Sequence, residues 1–342
     1  MFGTILKTVG ILLGLVTSHA SQNQQWLRLN GSDLVVSWYA PELKGRIAME
    51  IGNKEIVARG SNNGFHHAVT EAPYHTVTYR IPLGNNEWSN RRMMLGLSED
   101  EHTMAIVGDL GMKKSSKQIR EAMEKDESLD SLLLVGDLAY SSRGDGWDKW
   151  RQAMEPLAGR LPTQILRGNH DPLSMFQKRF AMEKEYYWYR AGPVFVVGLS
   201  SYLGKEQEGF LRETLKNVNR TVTPWVVVAY HAPIYNSNKR HRPTTAFQER
   251  FEPLFKDVAD LAVAGHVHAY ERFVPRKGDR TAHVTVGTGG AYLYNHWHDH
   301  PKYEGKRANG YGYGRLHATR KTLVWEWIKA DSREVQDRVV LS

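Results

Sequence analysis

Two hydrophobic periods divide this chain. From Gln24 to about Leu97 apolar residues recur at every second position: Leu27 and Leu29 precede the turn Asn30-Gly31-Ser32-Asp33, Leu34, Val36 and Trp38 follow it, and Val77, Tyr79 and Ile81 repeat the pattern. A period of two buries one face of a strand, so the region predicts a small all-β unit. At about 75 residues it is shorter than the ~100 of a seven-strand sandwich, which predicts missing or reduced strands. The acidic run LSEDEH, Leu97 to His102, is the candidate boundary. Beyond it, apolar runs alternate with amphipathic segments. Strands are expected up to Asp109, Asp137, Gly168 and His231, and over Val194 to Leu199, His283 to Gly287, Arg315 to Thr319 and Leu323 to Ile328. Helices are expected near Ser115 to Lys125, Trp147 to Met154, Glu206 to Val218 and Thr245 to Phe255. That alternation is α/β.

The apolar runs end in a repeated way. LAVAGHVHAYER, Leu261 to Arg272, is a buried-strand pattern stopped by a glycine and followed by His266 and His268, which extended backbone would turn to one side. The same order of apolar run, small residue and ligand-type residue recurs at Asp109, at Asp137 and Tyr140, at Asn169, His170 and Asp171, and at His231. Ligands of α/β sheets gather at the carboxyl ends of strands, so five such ends predict one crevice. Three carboxylates, a phenol, an amide and four imidazoles are too many for one metal of roughly four to six ligands. Two metals sharing a carboxylate would use them. Phenolate and carboxylate favour a hard trivalent ion, and the amide and imidazole set a divalent one.

Composition narrows the setting. A chain of 342 residues with 41% hydrophobic content exceeds one typical domain, and the absence of cysteine excludes disulfides, thiol nucleophiles and cysteine metal sites. Residues 1–20, with Lys7, an apolar stretch through Val16 and Ser18-His19-Ala20, read as a signal peptide cleaved after Ala20. The expected division is therefore a leader at 1–20, a β domain at 21–98 and a catalytic domain at 99–342. A secreted product or one of a lysosome- or vacuole-like compartment follows, with no membrane attachment after cleavage. Asn30 and Asn219 lie in sequons for glycosylation. The net charge of +8 favours an anionic partner, but scattered Lys and Arg without a basic helix point to a phosphorylated small molecule and not to nucleic acid.

Taken together, Asp109-Leu110-Gly111, Gly136 to Tyr140, Gly168 to Asp171, Val228 to His231 and Gly265 to His268 resemble the five blocks of the purple acid phosphatases, and GHVHAYER is close to the plant and fungal form. The likeness spans the mature chain and is weaker before Asp109. Wider metallophosphoesterases usually carry His two residues after the first Asp, where this chain has Gly111, and lack the tyrosine matched by Tyr140.

The resemblance implies a fibronectin- or Ig-like β domain before a layered α/β/β/α catalytic sandwich with mixed sheets. It implies Fe(III) on Asp109, Tyr140 and His268, a bridging Asp137, and a divalent Fe, Zn or Mn on Asn169, His231 and His266. Asn169, His170, Arg240 and His241 would contact substrate, and His170 or His241 would protonate the leaving group. The family's His pair after the fourth block reads Arg240-His241 here, so its first member is replaced. A trivalent ion acidifies bound water, so hydroxide attack at mildly acidic pH on phosphate monoesters is expected. A phosphodiesterase or nucleotide-cleaving enzyme of the same architecture is the alternative, and a non-catalytic secreted binding protein the third reading. The loop Asn295 to His300 is read as a solvated rim or a third metal site. Lys239 to Arg242 is a phosphate contact or a charged turn, and Tyr292, Tyr294 and Trp297 are rim packing or a stacking surface for an aromatic ester.

Overall fold

The computed structural model describes residues 24–341 apart from 61–63, 74, 85–86, 95, 181, 203 and 300–303. The leader expected at 1–20 lies outside the described residues. The first nine strands are β1 (Trp26–Asn30), β2 (Asp33–Tyr39), β3 (Ile47–Ile51), β4 (Lys54–Gly60), β5 (Phe65–Glu71), β6 (Val77–Arg80), β7 (Pro82–Gly84), β8 (Glu87–Trp88) and β9 (Arg92–Met94). Among the described residues seven hydrogen-bond in the order β1-β2-β5-β4-β3-β6-β9, and β7 pairs with β8. Of the two expectations, missing or reduced strands, the second is met: seven strands pair but several are short, β9 having three residues. The Asn30–Asp33 turn closes the β1–β2 hairpin in register.

This β region shares its core with the α/β region that begins near residue 101. Trp26 lies 5.6 Å from Trp150 and 5.1 Å from Phe180, and its indole N–H donates to the Thr163 carbonyl at 2.9 Å. Tyr79 donates to the Gly159 carbonyl at 2.6 Å, and Gln164 to the Leu29 carbonyl at 2.7 Å. Arg151 is fully buried between the rings of Trp26, Phe65 and Phe180, and donates to the carbonyls of Gln24 and Arg179. One apolar cluster runs unbroken through both regions.

The second region is α/β with mixed sheets. Its elements are β10 (Glu101–Val107), α1 (Lys114–Glu124), β11 (Ser131–Val135), α2 (Gly144–Ala158), β12 (Thr163–Leu166), α3 (Leu173–Phe180), β13 (Tyr187–Ala191), β14 (Val194–Gly198), α4 (Lys205–Lys216), β15 (Trp225–Ala229), α5 (Thr245–Phe255), β16 (Leu261–Ala264), β17 (Tyr270–Phe273), β18 (Ala282–Val286), β19 (Glu304–Ala308), β20 (Gly312–Thr319), β21 (Leu323–Lys329) and β22 (Val335–Leu341). One sheet runs β12-β11-β10-β20-β21-β22, the other β13-β14-β15-β16-β18-β17-β19. Strands β10, β11 and β12 are parallel, as are β14, β15, β16 and β18, so each sheet delivers several carboxyl ends to one edge. Val227, Ala229, Leu261 and Val263 point to the core shared with the first sheet. Their neighbours Val226, Val228, Ala262 and Ala264 pack on Leu211 and Leu215 of α4 and Phe247, Phe251 and Phe255 of α5. A strand buried on both faces must be apolar at every position, which is why these runs show no alternation. No described helix is long and apolar enough to cross a membrane.

Candidate metal centre

The five strand ends meet, but not as one sheet's crevice. Asp109, Asp137 and Asn169 follow β10, β11 and β12 of the first sheet, whereas His231 and His266 follow β15 and β16 of the second. The site lies where the carboxyl edges of two stacked sheets face each other. To reach it the backbone leaves its usual regions: Asp109 (φ 61), Asp137 (φ 52), Tyr140 (φ 50) and His266 (φ 66) are all left-handed, four of the six non-glycine residues so found among those described. Side chains there are disfavoured unless the surroundings hold them, and such strain gathers at functional sites. Gly168 permits the closest approach, since a Cβ there would stand 2.1 Å from Asp137 Oδ1.

Two groups of ligand atoms result, and they share a carboxylate. Asp137, His231 and His266 form one, Asp109, Asp137 and His268 the other, with all ligand atoms of a group within 4.8 Å of one another. Tyr140 joins the second, its hydroxyl 3.0 Å from Asp109 Oδ1 and 2.9 Å from His268 Nε2. Asn169 joins the first, its Oδ1 3.1 Å from His231 Nε2 and 2.8 Å from His266 Nδ1. His266 and His268 thus serve different groups and do not face one point, because the left-handed turn at His266 interrupts the extended backbone that would have aligned them.

Backbone contacts aim these side chains. His231 Nδ1 donates to the Val135 carbonyl at 2.8 Å and His268 Nδ1 to the Tyr292 carbonyl at 2.7 Å, which turns each Nε2 inward. Asp109 Oδ2 accepts the His266 amide at 2.7 Å, and Asp137 Oδ1 accepts the His170 amide at 2.8 Å. Asp171 is not among the converging groups. Its carboxylate turns back to accept the amides of Leu138 (2.9 Å) and Gly168 (2.9 Å), tying two ligand loops together, and burial followed by the Asp137 charge raises its pKa to about 7.

Electrostatics mark the centre as a place for cations. Burial opposes ionisation of Asp137, but the His231 charge and hydrogen bond and the His170 amide outweigh it and hold its pKa low. His231 loses by burial and gains more from Asp137, ending near 9. Burial, then the carboxylates of Asp109 and Asp137, push the Tyr140 phenol far above its ordinary value, so its ionisation calls for a strong positive charge beside it. Oxygen and imidazole donors in two groups with a common carboxylate fit a pair of hard or borderline metals.

Above the ligands lies a rim. The His170 ring sits 4.9 Å from Tyr140, and His241 4.3 Å from His266. Burial, then the nearby His268 charge, lowers the His241 pKa. Tyr294 stacks on His268 at 4.4 Å, and the exposed Arg240 lies 5.6 Å over Tyr294. Tyr292 is 73% exposed with the Lys113 ammonium against its ring. His296 and His298 are exposed, and neither belongs to a ligand group among the described residues. Their loop instead pairs with the segment before Arg240, through an Asn238–Trp297 bridge. Ser201, unsuspected from the sequence, accepts the amides of His231 (3.0 Å) and Ala232 (2.8 Å) on its hydroxyl. No local pattern marks it, since its partners lie about 30 residues away.

Comparison with known proteins decides the family. Calcineurin-like phosphoesterase matches residues 102–270, and iron/zinc purple acid phosphatase-like protein C matches 281–338. The probable purple acid phosphatase 20 of Arabidopsis thaliana is 33% identical over 66% of this chain and 61% of its own length. This chain belongs to the purple acid phosphatase family. It thus spans about three fifths of that relative, while purple acid phosphatase 5 of the same plant is 27% identical over 97% of the chain and 90% of the relative. The structure of purple acid phosphatase PPD1 from yellow lupin shares the fold at a TM-score of 0.85 and 20% identity, over 93% of this chain and 74% of that one. Within the purple acid phosphatase frame, Gly111 and Tyr140 explain each other. A Cβ at Gly111, itself at φ 62, would meet the Tyr140 ring at 3.1 Å, so the tyrosine fills space that a larger residue two positions after Asp109 would need.

Proposed function

We propose that the protein is a binuclear-metal acid phosphatase that hydrolyses phosphate monoesters at acidic pH. The observation that carries this reading is the pair of ligand groups joined at Asp137, with the Tyr140 hydroxyl on the Asp109 side only. In it Asp109, Tyr140 and His268 hold Fe(III), Asn169, His231 and His266 hold a divalent Fe, Zn or Mn, and Asp137 serves both. Bound metals supply Lewis acidity toward the phosphoryl oxygens and a water-derived nucleophile at low pH. The chain's own residues do the rest.

Arg240, on the exposed rim, neutralises a non-bridging phosphate oxygen, aided by Asn169. As the bond from phosphorus to the leaving oxygen breaks, that oxygen takes a proton from the imidazolium of His170 or His241, each seated over a ligand ring. Export by the 1–20 leader agrees with an acidic working compartment, and the exposed Asn30 and Asn219 are available to carry glycans. The test is a side-by-side assay of an aryl monophosphate and its diester at pH 5. Preference for the monoester, abolished by Asp137→Ala, is expected; preference for the diester would move the protein to the phosphodiesterases.

A further inference from the structure

The segment bearing Arg240 and His241 has no regular secondary structure, yet it is tightly bound. Asn236 Nδ2 donates to the carbonyls of His241 (2.5 Å) and Asn238 (3.2 Å), and Asn238 Oδ1 accepts the Arg240 amide at 2.9 Å. Across the cleft mouth, Asn238 Nδ2 donates to the Tyr294 carbonyl at 2.7 Å, the Lys239 amide to the His296 carbonyl at 2.8 Å, and the His298 amide to the Ser237 carbonyl at 2.8 Å. The two walls are therefore one hydrogen-bonded unit. At its root Ser237 is buried and gives both its donors to one carboxylate: its amide to Glu271 Oε2 at 3.0 Å and its hydroxyl to Glu271 Oε1. Arg307 in turn donates to the Ser237 oxygen at 2.6 and 3.1 Å, lies 3.6 Å from Glu271 Oε1, and covers the Trp297 ring at 4.8 Å.

Glu271 is 1% exposed and stands on β17, three residues beyond His268. We propose that Glu271 is a positioning residue for substrate: through Ser237 it fixes both walls of the mouth, and so the place of Arg240 and His241, relative to the metal ligand His268 on the same stretch of chain. A buried carboxylate holds its position only where its partners are fixed too, and two donors from one residue set register as well as distance. The assignment rests on the phosphatase reading for its kinetic consequence, but its structural consequence is independent of it.

The test uses the metal-loaded full chain with Glu271→Gln, Ser237→Ala and the double variant. Three measurements are made: steady-state kinetics (KM and kcat) on an aryl phosphate, Kd for inorganic phosphate, and hydrogen exchange of the Lys239 and His298 amides. Metal content should not change. KM and the phosphate Kd should rise about tenfold with kcat within about threefold, as for groups that place rather than react. Exchange at both amides should accelerate at least about tenfold while the β15 and β16 amides stay protected, and the double variant should be no worse than the larger single change. If Glu271→Gln does not fold, Ser237→Ala decides alone, since it keeps the carboxylate and the amide bond. Unchanged KM, Kd and exchange in Ser237→Ala would overturn the proposal, as would additive effects in the double variant. A wild-type protein without phosphatase activity would sink the functional reading alone, leaving exchange and phosphate binding to decide this one.

Discussion

The base and the rim of the cleft are built on opposite principles. At the base, ligand-type residues follow β-strands, four of them in left-handed backbone, and are aimed by main-chain partners such as the Val135 and Tyr292 carbonyls. At the rim, Arg240, His241 and Tyr294 come from loops tied together by Asn236, Asn238 and the Ser237–Glu271 pair, with Arg240 exposed. A base of that kind has one arrangement and fails as a whole; a rim of this kind can be changed by degrees. Substitutions at the base should therefore abolish function, and those at the rim should only tune it.

The largest effect should come from the base. Asp137→Ala removes the residue common to both ligand groups, so both metals should be lost and turnover should fall by at least about 10³-fold, several kcal/mol of transition-state stabilisation. Elemental analysis beside kinetics checks this, and a variant that kept one metal at full occupancy would undo the picture of a base that fails as a whole. Tyr140→Phe probes the same division: the visible charge-transfer band expected of a phenolate on Fe(III) should vanish, whereas rim variants should keep their colour. A rim variant that bleached would show that base and rim are not separable.

At the rim the effects should be smaller and selective. His241→Ala should cost about 10²-fold on an alkyl phosphate and little on a nitrophenyl ester, which leaves without a proton. Equal losses on both would remove the acid role. Arg240→Ala should raise KM roughly ten- to hundredfold, the range of a charged hydrogen bond, with turnover nearly unchanged. Unaltered kinetics would make Lys239 to Arg242 a solvated turn.

A further effect lies outside both regions and separates charge pairing from burial. His231 is pulled up to about 9 by Asp137, but His102, buried on β10 with Ser131 Oγ at 2.7 Å, is pushed down to about 3 by burial and then by His317. A depressed folded pKa means stability present above the ordinary value near 6.5 and lost as pH falls toward 3. At pH 4.5 the cost is about 2–3 kcal/mol. Thermal melts of His102→Gln should therefore fall less between pH 7 and 4.5 than those of wild type; parallel curves would contradict the assignment.

How far these regions can be read without a structure also differs, for physical reasons. The ligand positions are legible because a fully buried strand must be apolar, and the chain must stop being apolar where it turns toward a polar site. Asp171 misleads because a carboxylate beside Asn169 and His170 looks like a ligand until the fold shows it accepting the Leu138 and Gly168 amides. Arg151 leaves no local sign of its place: it is buried where the β region meets α2. The pairing of Asn238 with Tyr294 spans 56 residues and leaves no local trace. Among the elements with no counterpart in the periodicity, α3 and β22 show why. The first is one short helix of eight residues, and the second is an edge strand whose exposed Val340 and buried Asp337 blur the alternation. Length does not decide between missing and reduced strands in the β unit, because a strand can be as short as three residues and still pair.

We propose that the two ligand groups sharing Asp137 at the base hold two metals of different kinds. The metal stoichiometry of the purified protein, compared between wild type and Asn169→Ala, tests that arrangement without recourse to kinetics. Two metals per chain, one of them iron, are predicted for wild type, with Asn169→Ala losing the divalent ion and keeping the iron and its colour. A single metal per chain in wild type, or loss of both metals in equal measure from Asn169→Ala, would contradict it.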